Sequence, residues 1–226
     1  MTATITAPSP APTSSPAEAR PDSPGQEFNL LELTGPLTTE AMRFEEFVAL
    51  SSRFPDLRME QEPNGQITIM PPVLSGSGYR ESEANGFVWQ WNRQTKLGKT
   101  YSASTGIRLR DGSTKQADTA WIAKEKIAAL DAAQLDDSFL PIEPDFIIEV
   151  RSKTDSLDKL KAKMTDAWIG NGVRLAWLID PYEEQTWIYR ANGSVEVVAG
   201  FAGKKLHGED VLPGFELELD EFRLPG

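Results

Sequence analysis

Three carboxylates stand on or beside apolar runs that read as strands. Asp118 opens the run Thr119-Ala120-Trp121-Ile122, and Asp145 and Glu149 share the run from Asp145 through Phe146-Ile147-Ile148 to Glu149-Val150-Arg151. Side chains on a strand alternate between faces. Phe146, Ile148 and Val150 therefore make one wholly apolar face. Asp145, Ile147, Glu149 and Arg151 make the other. Charges on an apolar strand are costly unless paired, hydrated or bound to a metal. A Lys-bearing helix follows, carrying Lys159, Lys161 and Lys163. Hard cations such as Mg²⁺ take oxygen ligands, typically one or two carboxylates with water and substrate phosphate. Such a cation activates water and offsets charge developing on phosphorus, and a nearby ammonium can hold the attacking water or a phosphate oxygen. Asp118, Asp145 and Glu149 are thus candidate metal ligands for phosphodiester hydrolysis.

A plainer reading exists for each residue. The acidic strand face could be half-exposed and solvated, with an Asp–Arg or Glu–Arg pair. Asp118 could cap a strand or turn. Asp145 follows Pro144 and could close a turn. Glu60 reads as hairpin surface, with an outer metal ligand as the lesser alternative. Glu81 and Glu83 suit the dipole at the start of a helix. Tyr79, Arg80, Arg93, Lys96, Arg108 and Arg110 could form a basic lip for DNA phosphates, or simply solvated surface.

Other chemistries find no residues to carry them. The chain has no Cys and a single His, His207, so thiolate zinc sites and a His-rich metal centre are excluded. There is no Gly-rich phosphate loop and no Gly-x-Ser-x-Gly elbow. A net charge of -11 argues against coating nucleic acid through the overall field, while leaving room for a local basic groove. No apolar run approaches the ~20 residues of a membrane helix. No signal peptide is visible, and the lack of Cys fits a reducing cytoplasm.

These residues need elements to position them. Residues 1–27 are rich in Ala, Pro and Ser, cannot offset their ordering entropy, and are expected to form a disordered tail. Residues 28–226 are expected to form one domain. Leu37-Thr38-Thr39-Glu40 should open a helix, with Thr38 or Thr39 as its cap. Residues 57–70 read as a hairpin across Asn64-Gly65. A second helix spans residues 79–95, with Ala84, Phe87, Val88 and Trp91 as its inward stripe. Strands follow over 100–110 and 115–123, then a short helix or loop over 128–139. A third helix covers 156–170 and ends at Asn171-Gly172. Val173 to Asp180 is a nearly continuous apolar strand. Strand, helix, strand in that order argues for a right-handed crossover and parallel pairing. A hairpin and short edge strands close the chain. The fold class is α/β, with a mixed central β-sheet flanked by helices, an N-terminal helix and β-hairpin, and extra C-terminal strands.

Here the chain resembles a known family. Asp118, then Asp145-Phe-Ile-Ile-Glu149-Val-Arg151-Ser, then a Lys-bearing helix, then Asn-Gly-Val-Arg-Leu-Ala-Trp-Leu-Ile-Asp-Pro is similar to the Uma-type restriction endonucleases of the PD-(D/E)XK nuclease superfamily. The resemblance spans about Leu37 to Leu219, and Pro144 to Pro181 is its specific part. It implies a restriction-endonuclease-like core, with Asp118 and Glu149 at the two acidic positions. Two departures stand out. The Lys of Glu-x-Lys falls at Arg151, and Arg cannot act as a base and replaces Lys imperfectly as a positioner. Ala117 stands where the motif has Pro. The resemblance implies that the missing Lys sits on the following helix, with Lys163 the first choice and Lys161 the second.

The implied activity is a Mg²⁺- or Mn²⁺-dependent DNA endonuclease. Asp118 and Glu149 would hold the metal, Asp145 would assist, Lys163 would position water or phosphate, and Arg151 would add charge. The rival is a catalytically inactive nuclease-like fold acting as a binding or assembly module. A homodimer would suit cutting of two strands, although the sequence displays no interface.

Overall fold

The structure is a computed structural model that describes residues 37–224; the tail expected over residues 1–27 lies outside the described residues. Leu37–Thr38 forms a short strand, β1, and not the expected helix cap. It pairs antiparallel with residues further along, Leu37 opposite Ile69 and Thr38 opposite Thr68. Helix α1 is Phe44–Arg53. The Arg43 N–H donates to the Glu46 carboxylate at 2.9 Å, which secures the first turn.

Strands β2 (Arg58–Gln61) and β3 (Ile67–Met70) make the expected hairpin. Gly65 turns the chain at φ 86, a conformation open to Gly at no steric cost. Helix α2 is Ser75–Thr95, one turn longer at its start than the apolar stripe suggests. The single strand expected over 100–110 is two, β4 (Gly98–Ser102) and β5 (Ile107–Arg108). A turn closed by the Thr105 N–H and the Ser102 carbonyl at 3.0 Å separates them. The strand expected over 115–123 likewise divides into β6 (Thr114–Lys115) and β7 (Thr119–Ala123), which belong to different sheets.

Short helices α3 (Lys124–Ile127) and α4 (Ala132–Asp136) lead to β8 (Phe146–Val150). Helix α5 (Leu157–Ala162), capped by Ser156, runs straight into a wide π-helical segment, Lys163–Ile169. Then come β9 (Leu175–Asp180), the hairpin β10 (Gln185–Arg190) and β11 (Val195–Ala199), and the pair β12 (Lys205–His207) and β13 (Glu216–Glu218).

The main sheet has six strands in the order β11-β10-β9-β8-β7-β4. Only β8 and β9 run parallel, joined by the α5 crossover as expected. A second sheet has the order β1-β3-β2-β6-β5. The main sheet is covered on both faces. Phe146, Ile148 and Val150 pack with Ala84, Val88 and Trp91 of α2 and with Phe215. Ile147 packs with Met164 and Trp168 of the crossover. Every residue of β8 is buried, so the half-exposed strand with a solvated acidic face does not occur. Among the described residues, no helix is long and apolar enough to cross a membrane.

Candidate active site

Strand register assembles the site. In the antiparallel β7–β8 pair, Thr119 lies opposite Ile148. Asp118, one residue before β7, therefore falls beside Glu149 at the carboxyl end of β8. One Asp118 oxygen, Oδ2, accepts the Val150 N–H at 2.7 Å, which fixes the carboxylate against the strand. Glu149 is 5% exposed. Its Oε1 accepts from Trp168 Nε1 at 2.9 Å and pairs with Lys163 Nζ at 3.0 Å.

The π-helical segment delivers that lysine. Its turns are closed by the Gly170 N–H to the Thr165 carbonyl at 2.8 Å and the Val173 N–H to the Trp168 carbonyl at 3.1 Å. Such wide turns are rare and cluster at functional sites. Here the segment keeps Met164, Ala167 and Trp168 in the core while Lys163, its first residue, reaches over the sheet end. Lys163 Nζ also donates to Glu60 Oε1 at 3.0 Å and to the Gln116 carbonyl at 2.9 Å. An ammonium has three N–H donors, and these three acceptors take all of them.

Glu60 enters from β2, in the other sheet. It is 6% exposed, accepts the Gln116 N–H at 3.0 Å and lies 3.4 Å from Lys115 Nζ. Glu81, half-buried on α2, faces the same centre and shares a cleft of about 500 Å³ with Asp118.

The electrostatics divide these acids into two kinds. Burial, joined by the Glu149 and Glu81 charges, pushes the Asp118 carboxyl well above the ordinary aspartate range, against the Val150 N–H and Lys163. Burial likewise pushes Glu149 up; Glu60 adds to this, while Lys163 and Trp168 oppose it. Burial also raises Glu81, opposed by Arg58 and reinforced by Glu149 and Asp155. Glu60 goes the other way: burial is outweighed by Lys163, Lys115 and the Gln116 N–H, and its carboxyl is held low. Burial alone would lower the Lys163 ammonium, yet Glu149 and Glu60 raise it, so Lys163 is a fixed positive charge. Glu60 is thus ionised and compensated, whereas Asp118 and Glu149 repel one another.

The other sequence candidates are placed elsewhere. Asp145 lies at the opposite end of β8, about 13 Å from Glu149 at ~3.3 Å per residue. Its Oδ2 accepts the Ala123 N–H at 2.8 Å and its Oδ1 pairs with Lys126 at 3.1 Å, so its carboxylate secures the exit of β7 and does not join the acid pair. Arg151 pairs with Asp180 at 2.7 Å and overlies the Tyr182 ring. Lys161 turns away and lies 4.2 Å from the Trp187 ring centre. Of the supposed basic lip, Arg80 is buried and donates to the Phe222 carbonyl, Arg108 covers Phe44, and Arg110 pairs with Glu143.

Sequence reasoning undervalued Glu60 and Glu81. Glu81 had a usable signal. It extends the inward stripe of Ala84, Val88 and Trp91 by one turn, and a carboxylate on a buried stripe is a conflict that points to a site. Glu60 depends on the docking of two sheets, which local patterning does not reveal.

A mixed sheet in which the end of β8, parallel to β9, and the start of β7 bring together a buried Asp–Glu pair beside a helix-borne lysine defines a restriction-endonuclease-like domain. Residues 44–220 match the family described as Uma2, putative restriction endonuclease, and the chain belongs to that family. A solved structure described as a putative nuclease belonging to DUF820 from Anabaena variabilis ATCC 29413 is similar. It shares 17% identity over 73% of this chain and 88% of that chain, with a TM-score of 0.61, a likeness of fold. No curated protein matches the chain.

Among the described residues, no three acidic side chains converge closely enough to form a ready-made metal cage. The donor chemistry nonetheless fits a hard cation of the Mg²⁺ type. Such ions use one or two carboxylates and keep several waters. Asp118 and Glu149 each use one oxygen in hydrogen bonds among the described residues, which leaves one apiece to bind.

Proposed function

We propose that this chain is a metal-dependent endonuclease that hydrolyses DNA phosphodiester bonds. The observation that carries the reading is the Asp118–Glu149 pair: two adjacent buried carboxyls held above their ordinary range by burial, with the Glu149 charge adding to the rise at Asp118. Strongly perturbed groups in a cleft mark functional sites, and a divalent cation between these two would relieve the repulsion.

Asp118 and Glu149 would hold Mg²⁺ or Mn²⁺, which when bound activates water and offsets charge on the phosphate. Lys163 keeps its proton throughout, so it serves as a positive charge and not as a base. With all three N–H groups engaged, it orients Glu149 first. It can reach a phosphate oxygen or the attacking water only by releasing one of its acceptors. Glu60 anchors Lys163 from the second sheet. Trp168 and Lys163 together hold Oε1 of Glu149, which leaves its other oxygen to bind. Glu81 lines the same cleft as Asp118, and its charge adds to the negative potential that would attract the cation.

The rival, an inactive nuclease-like fold used for binding, draws on the saturated state of Lys163. Cleavage of supercoiled plasmid separates the two. The endonuclease reading expects nicking that needs Mg²⁺ or Mn²⁺ and disappears in Asp118→Ala. Intact plasmid and intact single-stranded DNA with wild type under every metal tried would leave the binding module.

A further inference from the structure

The cleft that ends at Asp118 does not stop there. It runs along the exposed side of α2, between Ser82 and Gly86 on the helix and Ser102 and Ala103 at the end of β4, to Trp89. The Trp89 side chain is 53% exposed, with the Arg93 guanidinium 5.3 Å from its ring centre. Beyond it lies a second hollow of about 370 Å³ lined by Asn92, Arg93, Lys96 and Gly98. Among the described residues, neither Arg93 nor Lys96 pairs with a carboxylate.

The core does not call for three features of this path. A large aromatic ring is held in water, where it contributes little to the core. Two neighbouring cations are left uncompensated in a chain of net charge -11. Gly86 stands in the middle of a long helix, where Gly costs about 1 kcal/mol relative to Ala. A Cβ there would meet nothing within 4 Å, so packing does not demand the glycine.

We infer that this groove is a track for an unpaired nucleic acid strand. Trp89 stacks on a base, and Arg93 and Lys96 hold phosphates. The inference rests on the nuclease reading and adds the form of the substrate. A base inside a duplex has both faces covered by its neighbours, so Trp89 can stack only where the strand is open. Arg93 on the ring strengthens such stacking. At ~1.5 Å per helical residue, Trp89 lies about 12 Å along α2 from Glu81. That is about three to four stacked nucleotides at ~3.4 Å each. The track therefore places an unpaired segment a few nucleotides from the bond presented to Asp118 and Glu149.

The test is fluorescence anisotropy with a dye-labelled oligothymidylate and a closed dumbbell duplex that has no free ends, in EDTA so that nothing is cut. Wild type should prefer the single strand. Trp89→Ala should weaken strand binding about ten-fold, since a stacked base carries that order of affinity, and Trp89→Phe should restore most of it. Arg93→Gln should lower the slope of log affinity against log salt by about 0.7. Unchanged strand binding by Trp89→Ala, or a dumbbell bound as tightly as the strand, would overturn the inference. Cleavage assays run alongside separate it from the nuclease reading. Cutting whose KM and kcat ignore Trp89→Ala removes the track and keeps the nuclease. Strand binding that depends on Trp89 without any cutting keeps the track and removes the nuclease.

Discussion

Lys163 Nζ stands 3.0 Å from Glu149 Oε1, and the same ammonium stands 3.0 Å from Glu60 Oε1. One side chain therefore ties the acid of the six-stranded sheet to an acid of the five-stranded sheet. Removing one partner of a buried ion pair strands the other charge, at a cost of about 3–5 kcal/mol. Lys163→Met should lose about that much stability in urea unfolding and lose cleavage as well. Glu60→Gln added to Lys163→Met should recover part of the stability and none of the cleavage. A single variant as stable as wild type would show that the ammonium holds nothing together.

Asp118 presents the opposite balance, a proposed metal ligand kept against the interest of the fold. Asn at this position can still accept the Val150 N–H through its carbonyl oxygen, without the repulsion from Glu149. Asp118→Asn should therefore raise the metal-free stability by about 1 kcal/mol at neutral pH. It should also abolish cleavage and any rise of Tm with Mg²⁺. Paired melts with EDTA and with Mg²⁺ read both effects.

The pH dependence has a definite sign. A carboxyl whose folded pKa lies above its unfolded value binds its proton more tightly in the folded chain. Stability from that group is then full below the unfolded pKa and is lost as pH rises through the folded one. Asp118 and Glu149 are both raised, so the advantage of Asp118→Asn over wild type should shrink as pH falls into the ordinary carboxylate range. Glu60 is lowered, so its contribution is present above its unfolded pKa and is lost in acid. Metal ligands must be deprotonated to bind, so the Tm rise given by Mg²⁺ should grow with pH. Melts across a pH series, with and without metal, measure all three trends.

Asp145 contrasts a structural carboxylate with the proposed catalytic pair. Its partners are the Ala123 N–H and Lys126, at the end of β8 remote from Glu149. Asp145→Asn should cost about 1–3 kcal/mol through the weakened buried contacts and leave kcat near wild type. A loss of kcat at saturating metal with stability retained would return Asp145 to the active centre.

Much of this arrangement was legible in the chain. The apolar run from Phe146 to Val150, the crossover helix and the run from Leu175 to Asp180 specify a parallel pair by pattern alone, and that pair sets Glu149. Asp118 was legible from its place before an apolar strand. The choice between Lys161 and Lys163 was not. Both flank the buried stripe of a regular helix, and the π-helical turn that favours Lys163 leaves no clear mark on the pattern. Asp145 misled because strand alternation puts it on the same face as Glu149 while ignoring the length of strand between them. Thr38 misled because its cap chemistry gave way to pairing with Thr68, a long-range contact. Glu60 was hidden for the same reason, since its partners Gln116 and Lys163 are remote in sequence.

The central claim is that Asp118 and Glu149 form a cation site that drives phosphodiester cleavage. Titrating Mg²⁺ and Mn²⁺ into wild type and Glu149→Ala, while following Tm and the cutting of plasmid and single-stranded DNA, tests it most directly. The expected result is saturable stabilisation of wild type with metal-dependent cutting, both absent from a folded Glu149→Ala. No metal response in either protein, or equal cutting by both, would contradict it.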